Sequence, residues 1–250
     1  MKISIITPTF NSASTLSDTI ESIIKQTHKN VEYIIIDGQS TDGTKNVVDS
    51  FRNQLEIKFI SEPDDGIYDA MNKGIALASG DIVHILNADD FYADENVLSS
   101  VIDTFKRNAQ CDAVYGDITY VSKDDKTKIT RIWNTGEYSE EKLKHGWIIP
   151  HPSLFIKKEI YSSLEKIFNK DYKISADYEL ILRLLKIQKI NVHYIPKSLV
   201  YMRTGGTSDK NLKNKITGWL ELRKSWKENN LRVPPFFITK RLLSKVMQFK

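Results

Sequence analysis

The first hundred residues alternate between short apolar runs and amphipathic stretches, and nothing else in the chain constrains its fold as much. "KISIITP" is a continuous run of strand length, and "STLSDTIESIIKQ" follows with Leu16, Ile20, Ile23 and Ile24 at helical spacing. "VEYIIID", "EIKFISE" and "DIVHILN" repeat the first signal; "DGTKNVVDSFRN", "IYDAMNKGIALAS" and "ADENVLSSVIDTFKRN" repeat the second, with Gly80 expected to stop the third helix. Runs without polar alternation are strands buried on both faces, and the helical stretches between them are the crossovers that parallel strands need. The pattern predicts an α/β chain on a mostly parallel, Rossmann-like central sheet with helices on both faces.

The pattern changes near residue 110. "CDAVYGDITYVSKDDKTKITRIW" reads as two antiparallel strands around a polar turn at residues 123–126, and "HPSLFIKKEIYSSL" as a strand and a short helix. "SADYELILRLLKIQ" is an amphipathic helix with Leu180, Ile181, Leu184 and Leu185 clustered, "INVHYIPKSLVYM" a strand pair broken at Pro196, and "RTGGTSDK" a flexible loop. There are no internal repeats and no low-complexity segment. The single cysteine, Cys111, leaves no internal disulfide framework and no cysteine zinc site. "MKISIITPTF" reads as a first strand rather than a signal peptide, and no apolar run approaches the roughly 20 residues that span a bilayer.

In an open parallel sheet, ligands bind at the carboxyl ends of the strands. Four polar clusters fall at such ends: "TPTFN" at 7–11, "DGQSTDG" at 37–43, "SEPDDGIYDAMNKG" at 61–74 and "NADD" at 87–90. Asp37 leaves its strand before the turn begins and can accept hydrogen bonds from hydroxyls or a base edge, whereas Asp42 suits a helix cap. Lys73, near a helix start, is either a phosphate partner or a solvated face. Asp89 and Asp90 are like charges side by side where a strand runs out; they either await a divalent cation such as Mg²⁺ or Mn²⁺, or Asp90 caps a helix beginning near Ala93. Asp177, with Ser175 as the expected cap, is either a helix-start acid or a carboxylate kept ionised to accept a proton.

Five stretches in order, "SIITPTFN", "IIIDGQSTDGT", "SEPDDGIYDAMNKGI", "GDIVHILNADD" and "SADYELILRLL", closely resemble the family 2 glycosyltransferases, strongly to residue 100 and more loosely to about 205. The resemblance implies a GT-A fold and transfer with inversion. It implies a nucleotide pocket lined by Pro8, Thr9 and Asn11, contact of Asp37 with base or ribose, and Asn72 and Lys73 near ribose and diphosphate. It makes Asp89 the last acid of a metal-binding Asp-x-Asp motif, with Asp90 assisting, and Asp177 the general base. Asn87 stands where the family commonly has a carboxylate; the amide can bond a ribose but removes one negative charge. By the same resemblance, 1–110 is the nucleotide-sugar-binding half, 111–210 the acceptor-binding half and 211–250 a basic helical tail, with a UDP-sugar as donor.

On the acceptor side, Trp147 offers a ring to a sugar face, His151 a bond to a hydroxyl or phosphate, and Arg203 a charge for phosphate as the Gly205-Gly206 loop closes; Trp147 and His151 read equally as core residues. The tail holds ten Lys and Arg against two acids, on a body that is mildly acidic within a net charge of +4. It is either a solvated helical face or a segment for an anionic membrane surface, with Trp219, Trp226, Phe236, Phe237, Leu242, Leu243 and Val246 as apolar contacts. No nucleic-acid-binding module is present. These features lead to an expected enzyme at the cytoplasmic face of a membrane. It would transfer one sugar to a glycan or polyprenyl-diphosphate-linked acceptor in surface polysaccharide assembly. A non-catalytic sugar-nucleotide or glycan-binding module is the competing class; a nucleotidyltransferase is disfavoured because no basic glycine-rich loop follows the first strand.

Overall fold

A computed structural model of the chain describes residues 1–206 and 212–246, with side chains as far as Arg241. Thr207 and Ser208 of the expected loop, and the side chains of Leu242, Leu243 and Val246, lie outside the described residues. The helix–strand alternation is as the sequence predicts: β1 (Ile3–Thr9), α1 (Leu16–Ile24), β2 (Val31–Asp37), α2 (Thr44–Phe51), β3 (Ile57–Ser61), α3 (Ile67–Leu77), β4 (Ile82–Ile85), β5 (Phe91–Tyr92) and α4 (Val97–Arg107). The second half carries β6 (Ala113–Val121), β7 (Ile129–Trp133), α5 (Glu140–Lys144), β8 (Phe155–Lys157), α6 (Lys158–Ser162), α7 (Ala176–Arg183), β9 (Val192–Arg203), α8 (Leu212–Glu228) and α9 (Phe237–Val246).

Among the described residues these strands form one sheet in the order β3-β2-β1-β4-β8-β6-β9-β5, with β7 beside β6. The first four strands are parallel, as is the β6–β9 pair, whereas β8 runs antiparallel to both β4 and β6. The parallel reading therefore holds for the half that carries the polar strand ends, and the second half makes the sheet mixed. Every residue of β1 is buried, which is why its sequence shows no polar alternation. Ile3 and Ile5 face a core layer with α1, α2 and α4; Ile6, Ile34 and Ile36 face a second layer with α3, α7 and α8. Burying one such isoleucine contributes about 1.5–3 kcal/mol.

Three local expectations are corrected. Residues 192–203 form one strand, not a pair; Pro196 sits at a register shift against β6, where Ile195 faces Gly116 and Ser198 faces Asp117, so a bulge absorbs the missing donor. The third helix ends at Leu77, and Gly80 is not its left-handed stop. A Cβ on Gly80 would lie 2.8 Å from the Lys2 carbonyl oxygen, so the glycine serves close backbone approach to β1. The helix after the acidic pair begins at Val97, so Asp90 does not cap it; Asp94 instead accepts from the Asn96 N–H at 2.7 Å. The tail is packed rather than appended: Trp226 and Phe237 are buried in the same core as Tyr178.

Candidate functional site

The strand register brings Thr9, Asp37 and Ser61 abreast at the carboxyl ends of β1, β2 and β3. Asp37 is buried and takes four donors: Thr9 Oγ1 at 3.0 Å, Ser40 N at 3.0 Å, Ser40 Oγ at 2.5 Å and Ser61 Oγ at 2.6 Å. Four donors satisfy a carboxylate without a cation. Asp37 therefore ties three strand ends together, at the place where the sequence expects contact with a base or ribose. Asn11, in the left-handed region at φ 50°, accepts from Thr41 N at 3.0 Å while its own N–H donates to Ser40 Oγ at 2.8 Å. Asp42 accepts from Thr44 N at 3.0 Å and from Ala13 N at 2.9 Å, but the N-cap position of α2 is Gly43, so Asp42 braces the turn rather than capping the helix as expected. Pro8 is buried within β1.

Phe10, a residue the sequence reading passed over, is 66% exposed at this rim. A Cβ on Gly38 would lie 3.4 Å from the Phe10 ring and 2.6 Å from Asp64 Oδ2, so the glycine forms a shallow floor between them. An aromatic face left open beside polar strand ends can stack on a planar base. The available signal was an aromatic residue just past an otherwise buried strand.

Asn72 and Lys73 both bond protein partners, Asn72 part-buried and Lys73 at the surface. The Asn72 amide makes paired hydrogen bonds, each 3.0 Å, with the backbone of Phe168. Lys73 donates to Pro63 O at 2.7 Å and pairs with Glu62 at 2.9 Å and Asp69 at 3.4 Å. They hold α3 against the 163–175 segment and the 61–66 loop.

The acidic pair follows β4. Asp90 is 1% exposed, and its Oδ2 accepts from Asn87 Nδ2 at 2.9 Å. Asp90 Oδ1 and Asn87 Oδ1 are buried without a partner. Burial pushes the Asp89 carboxyl upward, and burial together with the Asp89 charge pushes Asp90 well above the usual carboxylate range. The Arg203 charge opposes this rise in both but does not overcome burial. Arg203 donates to the backbone oxygen of Asp89 at 2.8 Å, and its ion pair is with Asp18 on α1, which Lys126 also meets at 2.5 Å. Although burial works to raise the Asp18 carboxyl, Lys126 and Arg203 together hold it below its ordinary value. Arg203 is thus buried beside the acidic pair rather than poised in the acceptor half.

Two carboxylates without counter-ions and two orphaned oxygen acceptors suit a hard divalent cation. Among the described residues no group of three or more His, Cys, Asp or Glu could hold a metal alone, so such an ion needs water and diphosphate oxygens to complete its shell. Asn87, Asp89 and Asp90 are the residues that fit it.

Asp177 lies in the first turn of α7. Tyr68, on the first turn of α3, donates to Ile174 O at 2.7 Å and reaches Asp177 Oδ1 at 3.4 Å, so α3 joins the strand-end rim to this acid. His151 is buried edge-on to Phe168; burial pushes its pKa down while the Asp177 charge opposes the shift. Trp147 donates to Thr135 O at 2.6 Å and packs on Tyr115 and Tyr138, with its ring half-buried. Ser175 does not cap α7. Its hydroxyl points to Gly218 O at 3.4 Å, and the N–H groups ahead of the helix go to Glu221 of α8.

Comparisons with known proteins identify the family and the fold. The profile described as glycosyl transferase family 2 matches residues 4–168. A PGL/p-HBAD biosynthesis glycosyltransferase of Mycobacterium bovis is 29% identical over 209 residues, 82% of this chain and 78% of that protein. An uncharacterized glycosyltransferase of Nostoc sp. is 30% identical over 222 residues, 84% of this chain and 66% of that one. Among solved structures, S. aureus TarS 1-349 in complex with UDP-GlcNAc superimposes with a TM-score of 0.66 at 19% identity, over 82% of this chain and 59% of that chain. The mannosyltransferase PcManGT from Pyrobaculum calidifontis, in complex with GDP-Man and Mn²⁺, does so with a TM-score of 0.67 at 17% identity, over 96% and 68%. The two structures share the GT-A fold with this chain. The family profile runs from the second residue of β1 to Phe168, the backbone partner of Asn72, and so takes in both the strand-end rim and the acidic pair. By that match the chain belongs to glycosyl transferase family 2, glycosyltransferases of the GT-A fold.

Proposed function

We propose that this glycosyltransferase moves one sugar, with inversion, from a UDP-sugar to a hydroxyl of a glycan or polyprenyl-diphosphate-linked acceptor in surface polysaccharide synthesis. It would act at the cytoplasmic face of a membrane. The observation that carries the reading is the buried Asp89–Asp90 pair after β4, with orphaned oxygens on Asp90 and Asn87; Asp177 is a separate carboxylate at the start of α7. The PGL/p-HBAD relative, TarS with UDP-GlcNAc and PcManGT with GDP-Man and Mn²⁺ support donor and metal class by kinship.

The chain's own groups divide the work. Phe10 receives the base, over the floor left by Gly38. Asp177 accepts the proton of the acceptor hydroxyl as that oxygen bonds to the anomeric carbon. The bond from that carbon to the diphosphate breaks on the opposite face, and its electron pair leaves on the phosphate oxygen. Asp89 and Asp90, with Asn87, would hold a Mg²⁺ or Mn²⁺ ion, which when bound would neutralise that leaving charge. Arg203, fixed beside Asp89 by Asp18, adds positive potential at the same place. Half-buried Trp147 offers its ring to the acceptor.

The test is nucleoside diphosphate release from a panel of UDP-sugars and GDP-mannose. A membrane-lipid extract serves as acceptor, with Mn²⁺, Mg²⁺ or EDTA, for wild type and Asp177→Asn. The expected result is metal-stimulated release with one donor, reduced about 10²–10⁴-fold in Asp177→Asn while the nucleotide still binds. Nucleotide binding with no release from any donor, including by hydrolysis, would favour the binding-module alternative.

A further inference from the structure

The carboxylate of Glu221, on α8, is buried beneath the segment that leads into Asp177. Its Oε1 accepts from Lys173 N at 2.8 Å, and its Oε2 accepts from Ile174 N and Ser175 N, both at 2.9 Å. Three consecutive backbone N–H groups converging on one anion fix the local chain direction as few other side-chain contacts can, and charge-assisted bonds of this kind are about twice as strong as neutral ones. The same segment is held from the other side, where Tyr68 donates to Ile174 O at 2.7 Å and reaches Asp177. Helix α8 comes in close to make the contact: a Cβ on Gly218 would lie 3.3 Å from Ile174 Cγ2. Residues 173–177 are thus clamped between α3, which belongs to the donor-side rim, and α8, which the sequence presents only as a basic tail.

We propose that Glu221 is a positioning residue for the transfer reaction: it sets the backbone that aims the Asp177 carboxylate, so the C-terminal helix completes the active site. This inference rests on Asp177 being the proton acceptor. Glutamine cannot replace Glu221 in this role. It offers one oxygen, and its amide NH₂ would face at least one of the three N–H donors. The segment would then re-register by a fraction of an ångström, enough to misalign a carboxylate that must meet a hydroxyl in the transition state.

The experiment compares full-length wild type, Glu221→Gln and Asn229→Ala, using the donor identified for wild type. Asn229→Ala removes a different α8–α7 bond, from the Asn229 amide to Glu179 at 3.0 Å, and serves as the control for loosened helix packing. Glu221→Gln is expected to lower kcat by about tenfold to a hundredfold, with donor KM and nucleoside diphosphate affinity within about twofold of wild type. Amide deuterium exchange should rise over 173–175, and Asn229→Ala should keep a near-wild-type kcat. Wild-type kcat in Glu221→Gln would overturn the proposal, as would an equal loss in Asn229→Ala. If Glu221→Gln does not fold, Glu221→Asp, which keeps the charge but withdraws it by one methylene, is read in its place against the same criteria. A wild type that releases no nucleoside diphosphate from any donor would instead refute the transferase reading on which this one stands.

Discussion

Asp90 is a charge in a place that cannot hold one cheaply. Burial and the Asp89 charge raise its pKa, so at neutral pH folding either buries a charge or takes up a proton, a cost the unfolded chain does not bear. A raised folded pKa means this penalty exists above the folded pKa and vanishes below the unfolded carboxylate pKa, where both states bind the proton. Asp90→Asn should therefore be more stable than wild type at pH 7.5, by on the order of 1–3 kcal/mol, or about 2–4 °C of Tm per kcal/mol. The gain should disappear near pH 3.5, and the Tm increment that Mn²⁺ gives wild type should shrink. Thermal unfolding at the two pH values, with and without Mn²⁺, measures this; a lower Tm for the variant at pH 7.5 would refute it. At this scale the sequence was uneven. That two adjacent acids at a strand end make no ion pair of their own was legible, because like charges repel wherever they are placed. That Asp37, Asn72 and Lys73 bond Ser61, Phe168 and Pro63 was not, because strand register and loop packing bring these partners into reach.

Elements were read more reliably than side chains, since a buried β-strand and an amphipathic helix announce themselves by period alone. The errors fell where tertiary contact overrides local signal. Pro196 looks like a strand terminator, yet β9 continues through it because the bulge against β6 leaves no donor to satisfy there. Gly74 was unremarked, but it sets how closely α3 lies on β1: an added Cβ would be 2.3 Å from Ile6 Cγ2. Ile6 is fully buried and β-branched, so its methyl cannot swing aside. Alanine gains about 1 kcal/mol in helix propensity, while overpacking costs about 1–3 kcal/mol, and here the contact is with a stiff side chain in the central strand. Gly74→Ala is expected to lower Tm by a few degrees despite the better propensity, and to loosen the α3 segment that carries Tyr68 to Asp177. Denaturation of the purified variant decides the sign; an unchanged or raised Tm would mean that α3 can lift from β1 without loss.

Across the whole molecule, the unequal charge distribution gains a geometric meaning. The basic C-terminal residues are not a detachable arm, because Trp226 and Phe237 are buried and Trp226 donates to the Tyr178 hydroxyl at 2.8 Å. Truncation at residue 211 would therefore remove Glu221 and part of the core, and could not report on membrane binding. Among the described residues no helix is long and apolar enough to cross a membrane. The exposed side of α8 carries an apolar line, Leu212, 68% exposed, then Ile216 and Leu220, 64% exposed, beside exposed Lys213, Lys215, Arg223 and Lys227. Phe236 adds an exposed ring at the turn before α9. Of the apolar residues expected to meet a membrane, Phe236 alone is both described and fully exposed; the stripe that replaces the others lies at i, i+4 and i+8 on one helix face. Apolar side chains beside cations suit an anionic interface, where each cation contributes about 1 kcal/mol. Wild type should float with vesicles containing anionic lipid, not with neutral ones, and should detach at high salt as the cations are screened. Leu212→Ser, Ile216→Ser and Leu220→Ser together should abolish flotation while leaving Tm and nucleotide binding intact, since none of the three is buried. Flotation of the triple variant equal to wild type would remove this face from contention, and failure of wild type to float on anionic vesicles would end the membrane assignment of the basic helix.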